Sequence, residues 1–175
     1  MRYRRALVAG ATYFFTVNLA DRKSDRLLSN IDRLKAAMRH VQSRHPFDIP
    51  AMVIMPDHLH ALWTLPPGDA GFATRWALIK AGFSRGLPRS EPVSASRQRK
   101  GERGIWQRRY WEHLIRDDND YARHVDYIHY NPVKHGHVTR AVDWPHSSIH
   151  RFIEEGLLPK NWAADPVEND CVYGE

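Results

Sequence analysis

The stretch MPDHLHALWTL, residues 55–65, places two histidines in an otherwise apolar run. Side chains alternate between the two faces of a strand, so His58 and His60 point to one face and the apolar residues between and after them point to the other. Neutral imidazole is a common ligand for divalent metal ions, so the pair forms half of a candidate metal site. The alternative is a solvated strand face, which is the commoner meaning of an isolated His-x-His. The apolar flanks and a second motif downstream favour the metal site.

The segments around this stretch predict a sheet. Ile49–Met55 is a predicted strand, and the Pro56-Asp57 turn that follows should join it to the histidine strand as an antiparallel hairpin. Thr12–Leu19 is rich in β-branched and aromatic residues, which predicts the first strand. Arg109–Arg116 is predicted as the fourth strand, with Trp111, His113 and Ile115 on one face.

Apolar periodicity predicts helices between and after these strands. Ser29 or Asn30 can cap a helix that runs to about Arg44, and a second helix is expected over Gly71–Phe83. A third should begin at the acidic run after Arg116 and stop at about Tyr130, because Asn131-Pro132 disfavours helix. A short helix is expected around Ser147–Glu154.

The order of elements predicts an α+β protein with a ferredoxin-like βαββαβ core. In that topology four antiparallel strands have the first and third in the centre, so the histidine pair would lie mid-sheet. The helix after the fourth strand is an addition that could cross the open face of the sheet and carry further site residues. We expect a single domain over residues 1–158, a mobile basic loop over 86–104, and an acidic tail over 159–175.

The composition is that of a globular protein. The chain has 175 residues and 42% apolar residues, and no apolar run approaches the ~20 residues of a membrane helix. The basic start is not followed by the apolar core of a signal peptide, and the single Cys171 excludes a disulfide framework and a cysteine-based zinc site. A cytoplasmic protein without a membrane association is expected, linked to the nucleoid through DNA.

The charge distribution favours a polyanionic partner. Lys and Arg exceed Asp and Glu by 26 − 20 = 6, and the pI is about 9.7. Residues 85–109 contain eight basic residues and two acids, whereas residues 161–175 contain four acids and no Lys or Arg. The tail is therefore a candidate internal mimic of DNA that folds over a basic cleft. A solvated basic loop is the alternative for the arginines.

The third predicted helix supplies the second half of the site. Tyr127 and Asn131 are four residues apart and share a helix face, with His124 on roughly the same side. The Asn carbonyl oxygen suits hard cations such as Mg²⁺ or Mn²⁺. Tyr130 is a rival nucleophile, but it lies roughly 300° around the helix from Tyr127. A half-buried tyrosine and a helix-capping asparagine are the structural alternatives for this pair, and spacing alone favours them.

Three segments resemble a known family. MPDHLH (55–60), GIWQRRYWEH (104–113) and YIHYNPVKHG (127–136) look like the REP-associated tyrosine transposases, which are relatives of the single-tyrosine HUH transposases of small insertion sequences. YFFTV (13–17) and WPHSS (144–148) extend the resemblance to about Trp162. The loop before Gly104 and the tail resemble the family least.

The resemblance implies a nuclease domain that binds and cuts single-stranded DNA at imperfect palindromic hairpins. His58 and His60 match the family's metal-binding histidines, Tyr127 the nucleophile and Asn131 the third ligand of a Mg²⁺ or Mn²⁺ ion. Attack by Tyr127 would leave a 5′-phosphotyrosine and a free 3′-hydroxyl, a linkage that allows strands to be rejoined without ATP. The relatives include monomers and homodimers, and both states stay open for this chain.

Several residues are candidates for DNA contact. Basic side chains could follow phosphates, and Trp106 could stack on unpaired bases, as could Tyr110 and Trp111, although a core position is favoured for Trp111. The basic candidates are Arg2, Arg4, Arg5, Arg97, Arg99, Lys100, Arg103, Arg108 and Arg109.

Two other functions are alternatives to the transposase. A non-catalytic single-stranded nucleic-acid-binding protein of the RNA-recognition type shares the scaffold, but its typical glycine-and-aromatic sheet motif is missing. A metal hydrolase barrel would need ~250 residues, more than this chain has.

Overall fold

The structure is a computed structural model and describes residues 7–163. Within that range the strands are β1 (Thr12–Asn18), β2 (Asp48–Ile54), β3 (His58–Thr64) and β4 (Trp111–Leu114). The helices are α1 (Arg26–Ser29), α2 (Ile31–Arg44), α3 (Phe72–Arg85), α4 (Ala95–Gln98), α5 (Asp118–Lys134) and α6 (Ile149–Glu154). A 3₁₀ turn, Ala141–Asp143, lies between α5 and α6.

The four strands form one antiparallel sheet in the order β2-β3-β1-β4. The ferredoxin-like prediction is therefore confirmed, with the first and third strands in the centre. Thr16 lies opposite His60 and Asn18 opposite His58 across the central pair. Leu59, Ala61 and Trp63 point to the other face, as strand alternation requires.

One face of the sheet packs against α2 and α3. Trp63 of β3 stacks on Trp76 of α3 with ring centroids 4.0 Å apart, and both side chains are almost fully buried. Leu34, Met38 and Val41 form the buried stripe of α2. Burying a side chain of this size stabilises the fold by roughly 1.5–3 kcal/mol, so this layer fixes the sheet on which the site is built.

The opposite face packs against α5. Val125 and Ile128 of this helix meet Phe14 and Leu62 of the central strands in a second apolar cluster, which Trp144 closes. The added helix thus lies across the face that carries His58 and His60, as predicted.

Helix α5 is longer than predicted. Its N-terminus is capped by Asp117, whose carboxylate accepts the amide N–H of Asp120 at 2.8 Å. The predicted stop at Tyr130 is wrong, because the helix continues through Pro132 to Lys134. Proline removes one hydrogen bond from the ladder, and the restriction on the residue before it disfavours helix without forbidding it.

The last carbonyls of α5 are satisfied by a C-terminal cap. The amide of His137 donates to the carbonyl of Pro132, and the amide of Gly136 donates to the carbonyl of Val133, both at 2.9 Å. Gly136 has a φ of +70°, so the two bonds form a Schellman motif around a left-handed residue. Asn131 consequently lies inside the helix and not at its cap.

The fourth strand is shorter than predicted, and it is an edge strand. It spans Trp111–Leu114, and Trp111 is 37% exposed, so its favoured core assignment is wrong. The exposure of Trp111 follows from the edge position of β4, which has β1 as its single neighbouring strand in the sheet. His113 lies opposite Phe14 and so shares the face of the sheet that meets α5.

The other sheet edge is covered. The amide of Ile54 in β2 donates to the carbonyl of His146 at 2.9 Å, and the amide of Ser148 donates to the carbonyl of Met52 at 2.8 Å. This protects an edge that would otherwise be open to pairing with another chain. The expected short helix follows directly as α6.

The basic loop has more internal structure than its composition predicted. It contains the short helix α4, and Glu91 accepts the guanidinium of Arg103 at 2.5 Å. Its mobility stays a prediction. Most of the acidic tail, and the basic residues Arg2, Arg4 and Arg5, lie outside the described residues. Among those described, no helix has the length and apolar character needed to cross a membrane.

Candidate active site

The two histidines lie side by side beneath α5. The rings of His58 and His60 have centroids 5.0 Å apart, and the two residues are 2% and 0% exposed. They come from the start of β3, directly after the turn of the β2–β3 hairpin. The sheet interior therefore fixes both rings with little freedom to move.

Each histidine is oriented through its Nδ1 atom. Nδ1 of His58 lies 2.8 Å from the carboxylate of Asp57, and Nδ1 of His60 lies 2.9 Å from the hydroxyl of Thr16. A carboxylate only accepts hydrogen bonds, so Nδ1 of His58 donates and Nε2 is the ring nitrogen on the side away from Asp57. Such partners on the far nitrogen are the usual arrangement for metal-binding histidines.

Asp57 is itself held by a cation. The guanidinium of Arg22 donates to this carboxylate at 2.5 Å and to the amide oxygen of Asn18 at 2.7 Å. Burial works to raise the pKa of Asp57, but the hydrogen bonds and charges of His58 and Arg22 outweigh it and hold the pKa at about 2. The carboxylate is therefore ionised at neutral pH and fixes the tautomer of His58.

The residues fit a divalent cation. Within residues 7–163, the buried Nε2 of His58 has no hydrogen-bond partner. Burial, reinforced by the nearby charge of His58, lowers the pKa of His60 well below its ordinary value, so this imidazole is neutral. The two imidazoles, together with the amide of Asn131 on α5, make up a mixed nitrogen and oxygen donor set.

Tyr127 meets the histidine pair from α5. Its ring centroid is 5.1 Å from that of His60 and 6.1 Å from that of Phe14, and the residue is 3% exposed. Its hydroxyl accepts a hydrogen bond from the ammonium of Lys134 at 3.2 Å. The tertiary structure thus joins the two halves that the sequence could propose only separately.

The other residues of the helix motif differ in burial. Asn131 follows Tyr127 by one turn on the same helix face and is fully buried. Tyr130 is only partly buried and is absent from the apolar cluster beneath α5. The roles of Tyr127 and Asn131 stay predictions, and the geometry favours Tyr127 over Tyr130.

Sequence reasoning missed a second group of possible metal ligands. His113, Asp120 and His124 offer three ligand atoms within 4.8 Å of one another. Nε2 of His113 lies 2.8 Å from the Asp120 carboxylate, which also accepts the amide of Arg116 at 3.0 Å. These bonds tie β4 to the start of α5, which is a structural role. Only the spacing of Asp120 and His124, four apart on a helix, hinted at the group.

The Asp120 carboxylate of this second group already has hydrogen-bond donors within the fold. Burial acts to raise the pKa of Asp120, but the hydrogen bonds of His113 and Arg116 outweigh it and lower the pKa. Burial lowers the pKa of His124, whose Nδ1 donates to the backbone carbonyl of Asp120 at 2.7 Å. His124 also packs on Phe14, with ring centroids 4.7 Å apart.

A cleft of about 410 Å³ opens beside His58. Its lining is polar and combines two basic residues, two carboxylates and three imidazoles: Arg22, Lys23, Asp25, Asp57, His58, His135 and His137. The ring of His135 lies 5.2 Å from that of His58. The cleft therefore gives solvent a path to His58, the first residue of the candidate metal pair.

The structure corrects two of the predicted DNA contacts. Trp106 is 7% exposed and its indole N–H donates to the Ser84 hydroxyl at 3.0 Å, so the ring is part of the core and not a stacking platform. Arg103 donates to the backbone carbonyls of Ser84, Leu87 and Pro88, so its guanidinium holds the loop together.

The remaining basic candidates differ in exposure. Arg97 donates to the carbonyls of Arg103 and Trp106, at 3.0 and 3.1 Å, and is partly engaged inside the loop. The exposed residues are Arg99, Lys100, Arg108 and Arg109. Their contact with DNA stays a prediction.

The family assignment follows from comparison with known proteins. The model of the family described as "Transposase IS200 like" matches residues 14–131, a range that includes the histidine pair, Tyr127 and Asn131. The chain belongs to the IS200-like transposase family.

Its relatives define the branch of that family. The chain is 45% identical over 166 residues to the REP-associated tyrosine transposase of Escherichia coli (strain K12), covering 95% of this chain and 93% of that protein. A Haemophilus influenzae protein of the same group is 46% identical over 165 residues, covering 94% of each chain. A solved structure of a REP-associated tyrosine transposase bound to a REP hairpin is 43% identical, with a TM-score of 0.84 over 100% of this chain and 97% of that chain. The chain is a tyrosine transposase of this REP-associated branch.

Proposed function

We propose that this protein is a metal-dependent transesterase that cleaves and rejoins single-stranded DNA at REP-type hairpins through a 5′-phosphotyrosine. The observation that carries the proposal is the approach of the Tyr127 ring to within 5.1 Å of the His60 ring, in a pocket that buries both side chains. A tyrosine beside paired imidazoles, with an amide one helix turn further along, supplies the parts that such a reaction requires.

We assign His58, His60 and Asn131 as the ligands of a Mg²⁺ or Mn²⁺ ion. When bound, the ion would polarise the scissile phosphate and stabilise the negative charge that develops there. Asp57 and Thr16 hold the two rings in place through their Nδ1 atoms.

Tyr127 performs the displacement. Its hydroxyl oxygen attacks the phosphorus, the bond from phosphorus to the 3′ oxygen breaks, and the 5′ end of the DNA becomes joined to the phenol. The phenol proton passes to solvent, and the departing 3′ oxygen takes up a proton to become a hydroxyl. The new ester has about the same energy as the one that was broken, so the reverse attack by a 3′-hydroxyl rejoins a strand.

Two observations support hairpin DNA as the substrate. The similar structure of a REP-associated tyrosine transposase is bound to a REP hairpin. The formal net charge of this chain is +6, and residues 85–109 contain eight basic residues against two acids. Positive charge of this kind favours association with phosphates.

The sheet argues against the RNA-recognition alternative. Domains of that type bind bases on the open face of their four-stranded sheet. Here α5 covers that face, and Phe14 and Leu62 contact the helix and not solvent. A purely binding role would also leave the burial of Tyr127 against His60 without a purpose.

A denaturing gel tests the reaction. We expect the protein to form a covalent adduct with a labelled REP-type hairpin that carries single-stranded flanks, in Mg²⁺ or Mn²⁺ but not in EDTA. Tyr127→Phe should abolish the adduct, whereas Tyr130→Phe is the matched control and should retain it. Loss of the adduct in Tyr130→Phe alone would reassign the nucleophile, and cleavage without any adduct would indicate a hydrolase.

Calorimetry tests the ion site. We expect Mn²⁺ binding by the wild-type protein and its loss in His58→Ala and His60→Ala. His113→Ala removes a histidine from the second group and should leave Mn²⁺ binding unchanged. The opposite pattern would move the metal site to His113, Asp120 and His124.

A further inference from the structure

Lys134 contacts the hydroxyl of the proposed nucleophile. Its ammonium lies 3.2 Å from the oxygen of Tyr127, to which it donates a hydrogen bond, and 4.8 Å from the centroid of the same ring. The ammonium is therefore in direct contact with the oxygen that would bond to phosphorus. Lys134 itself is at the rim of the site, whereas Tyr127 is buried.

The helix geometry keeps this contact in place. Tyr127 and Lys134 are seven residues apart, almost two full turns, so they share one helix face. Lys134 is the last residue of α5. Helix must therefore continue through Pro132 for the contact to exist, and the Schellman motif around Gly136 ends the helix directly after it.

We propose that Lys134 is a catalytic residue that stabilises negative charge on the Tyr127 oxygen during both strand cleavage and strand rejoining. This inference rests on the proposed role of Tyr127 as nucleophile. A phenol is a weak nucleophile at neutral pH, because its pKa is ordinarily ~10. An ammonium that donates a hydrogen bond to the oxygen favours the developing phenolate over the neutral phenol.

The same contact serves both directions of the reaction. In cleavage, the phenol proton leaves to solvent, the oxygen bonds to phosphorus, and the 3′ oxygen departs and is protonated. In rejoining, a 3′-hydroxyl loses its proton and attacks phosphorus, and the tyrosine oxygen departs as a phenolate that then recovers a proton. Lys134 keeps its own proton throughout and supplies only charge and one hydrogen bond.

Two other roles for Lys134 predict different results. If it contacts a DNA phosphate, its loss should weaken hairpin binding and reduce the dependence of binding on salt. If it only stabilises the end of α5, its loss should lower the melting temperature and act on the reaction through misfolding. In neither role does the cleavage rate of the Lys134 variant depend on how well the Tyr127 ring stabilises negative charge on its own oxygen.

The test compares Lys134→Met with Lys134→Arg and with Lys160→Met, a matched loss of charge at an exposed lysine. At saturating hairpin and Mn²⁺, we expect Lys134→Met to slow single-turnover cleavage roughly 100-fold, with hairpin affinity, Mn²⁺ affinity and melting temperature unchanged. Rejoining of the isolated adduct should slow by a similar factor. Lys134→Arg should recover part of both rates, and Lys160→Met should behave as wild type.

A chemical substitution at Tyr127 separates charge stabilisation from positioning. Fluorine atoms on the ring stabilise negative charge on the phenol oxygen, so 3,5-difluorotyrosine at position 127 should restore part of the cleavage rate of Lys134→Met. No restoration, or a defect confined to hairpin affinity, would overturn the inference. If Lys134→Met cleaves normally while Tyr127→Phe forms no adduct, the inference fails and the proposed function stands. An adduct that persists in Tyr127→Phe would remove both.

Discussion

At the level of single residues, the candidate metal pair depends on what each histidine does with its Nδ1 atom. The hydroxyl of Thr16 lies 2.9 Å from Nδ1 of His60, across the central strands, and Asp57 plays the corresponding part for His58. These partners set the ring orientation, and a ligand that is free to rotate binds an ion less well.

Thr16→Val should therefore weaken Mn²⁺ binding about 10- to 100-fold by calorimetry. Valine has the shape of threonine and suits a buried strand, so the fold should be retained. Thr12→Val is the matched control: it removes the hydrogen bond between Thr12 and Thr64 at 2.8 Å on the same strand and face, and should leave Mn²⁺ affinity unchanged. Equal effects of the two substitutions would contradict the assignment of His60 as a ligand.

At the level of elements, the end of α5 is set by one backbone conformation. Gly136 has a φ of +70°, and a Cβ at this position would meet nothing within 4 Å. The effect of a side chain there would thus come from the backbone alone, since L-residues are strained in the left-handed region.

Gly136→Ala should lower the free energy of unfolding by about 1 kcal/mol, measured by urea denaturation. Gly82→Ala is the same chemical change inside α3, where the new Cβ would meet Ala37 at 3.4 Å. There alanine favours helix, and we expect a gain of roughly 0.5–1 kcal/mol. If Gly82→Ala destabilises the protein and Gly136→Ala does not, the Schellman motif is not what fixes the end of α5.

The basic loop depends on a buried ion pair. The hydrogen bonds of Arg103 lower the pKa of Glu91 from 4.5 to about 2, in spite of burial, which acts in the opposite direction. A depressed carboxyl pKa stabilises the folded state above the unfolded value and loses that effect as the pH falls through the folded value.

Glu91→Gln should lower stability by about 1–2 kcal/mol at pH 7, and the difference should shrink between pH 4.5 and about 2. Urea unfolding of both proteins at several pH values measures this difference in the free energy of unfolding. Glu102→Gln breaks the exposed pair with Arg108 and should change stability little. A deficit in Glu91→Gln that persists at pH 2 would show that the pair does not stabilise the loop.

At the level of the whole molecule, association with DNA should follow the exposed charge. The basic residues of the loop divide into those that hold the loop together, such as Arg103, and those that face solvent, such as Arg99 and Lys100. Only the second group is free to neutralise phosphates, and each contact releases counterions.

Replacing Arg99 and Lys100 together with glutamine should weaken binding to specific and unrelated hairpins alike. The slope of log affinity against log salt should fall by about one for each residue. Arg39 and Arg44 are exposed on α2, which packs on the other sheet face, and their double replacement is the control. An equal loss in the control would indicate that net charge acts without a defined DNA path.

The sequence determined whatever depends on neighbours along the chain. Strand alternation placed His58 and His60 on one face of the sheet, and helical spacing placed Tyr127 and Asn131 on one face of a helix. The order of the elements predicted the ferredoxin-like sheet. Local rules were less reliable where tertiary packing competes with them. Proline was expected to end α5 before Asn131, yet the helix continues to Lys134 because one lost bond is a small cost beside the packing of the whole helix on the sheet.

Only the tertiary structure decided which distant residues share a site. It laid α5 over the histidine face, brought Tyr127 to His60 and Lys134 to Tyr127, and took Trp106 and Arg103 out of the DNA-contacting set. The reason is physical. Periodicity along the chain fixes the face of its own helix or strand on which a side chain lies. Whether that side chain is buried, and what it pairs with, depends on which other element packs against that face. That meeting is set by the summed packing of the core and not by any single segment.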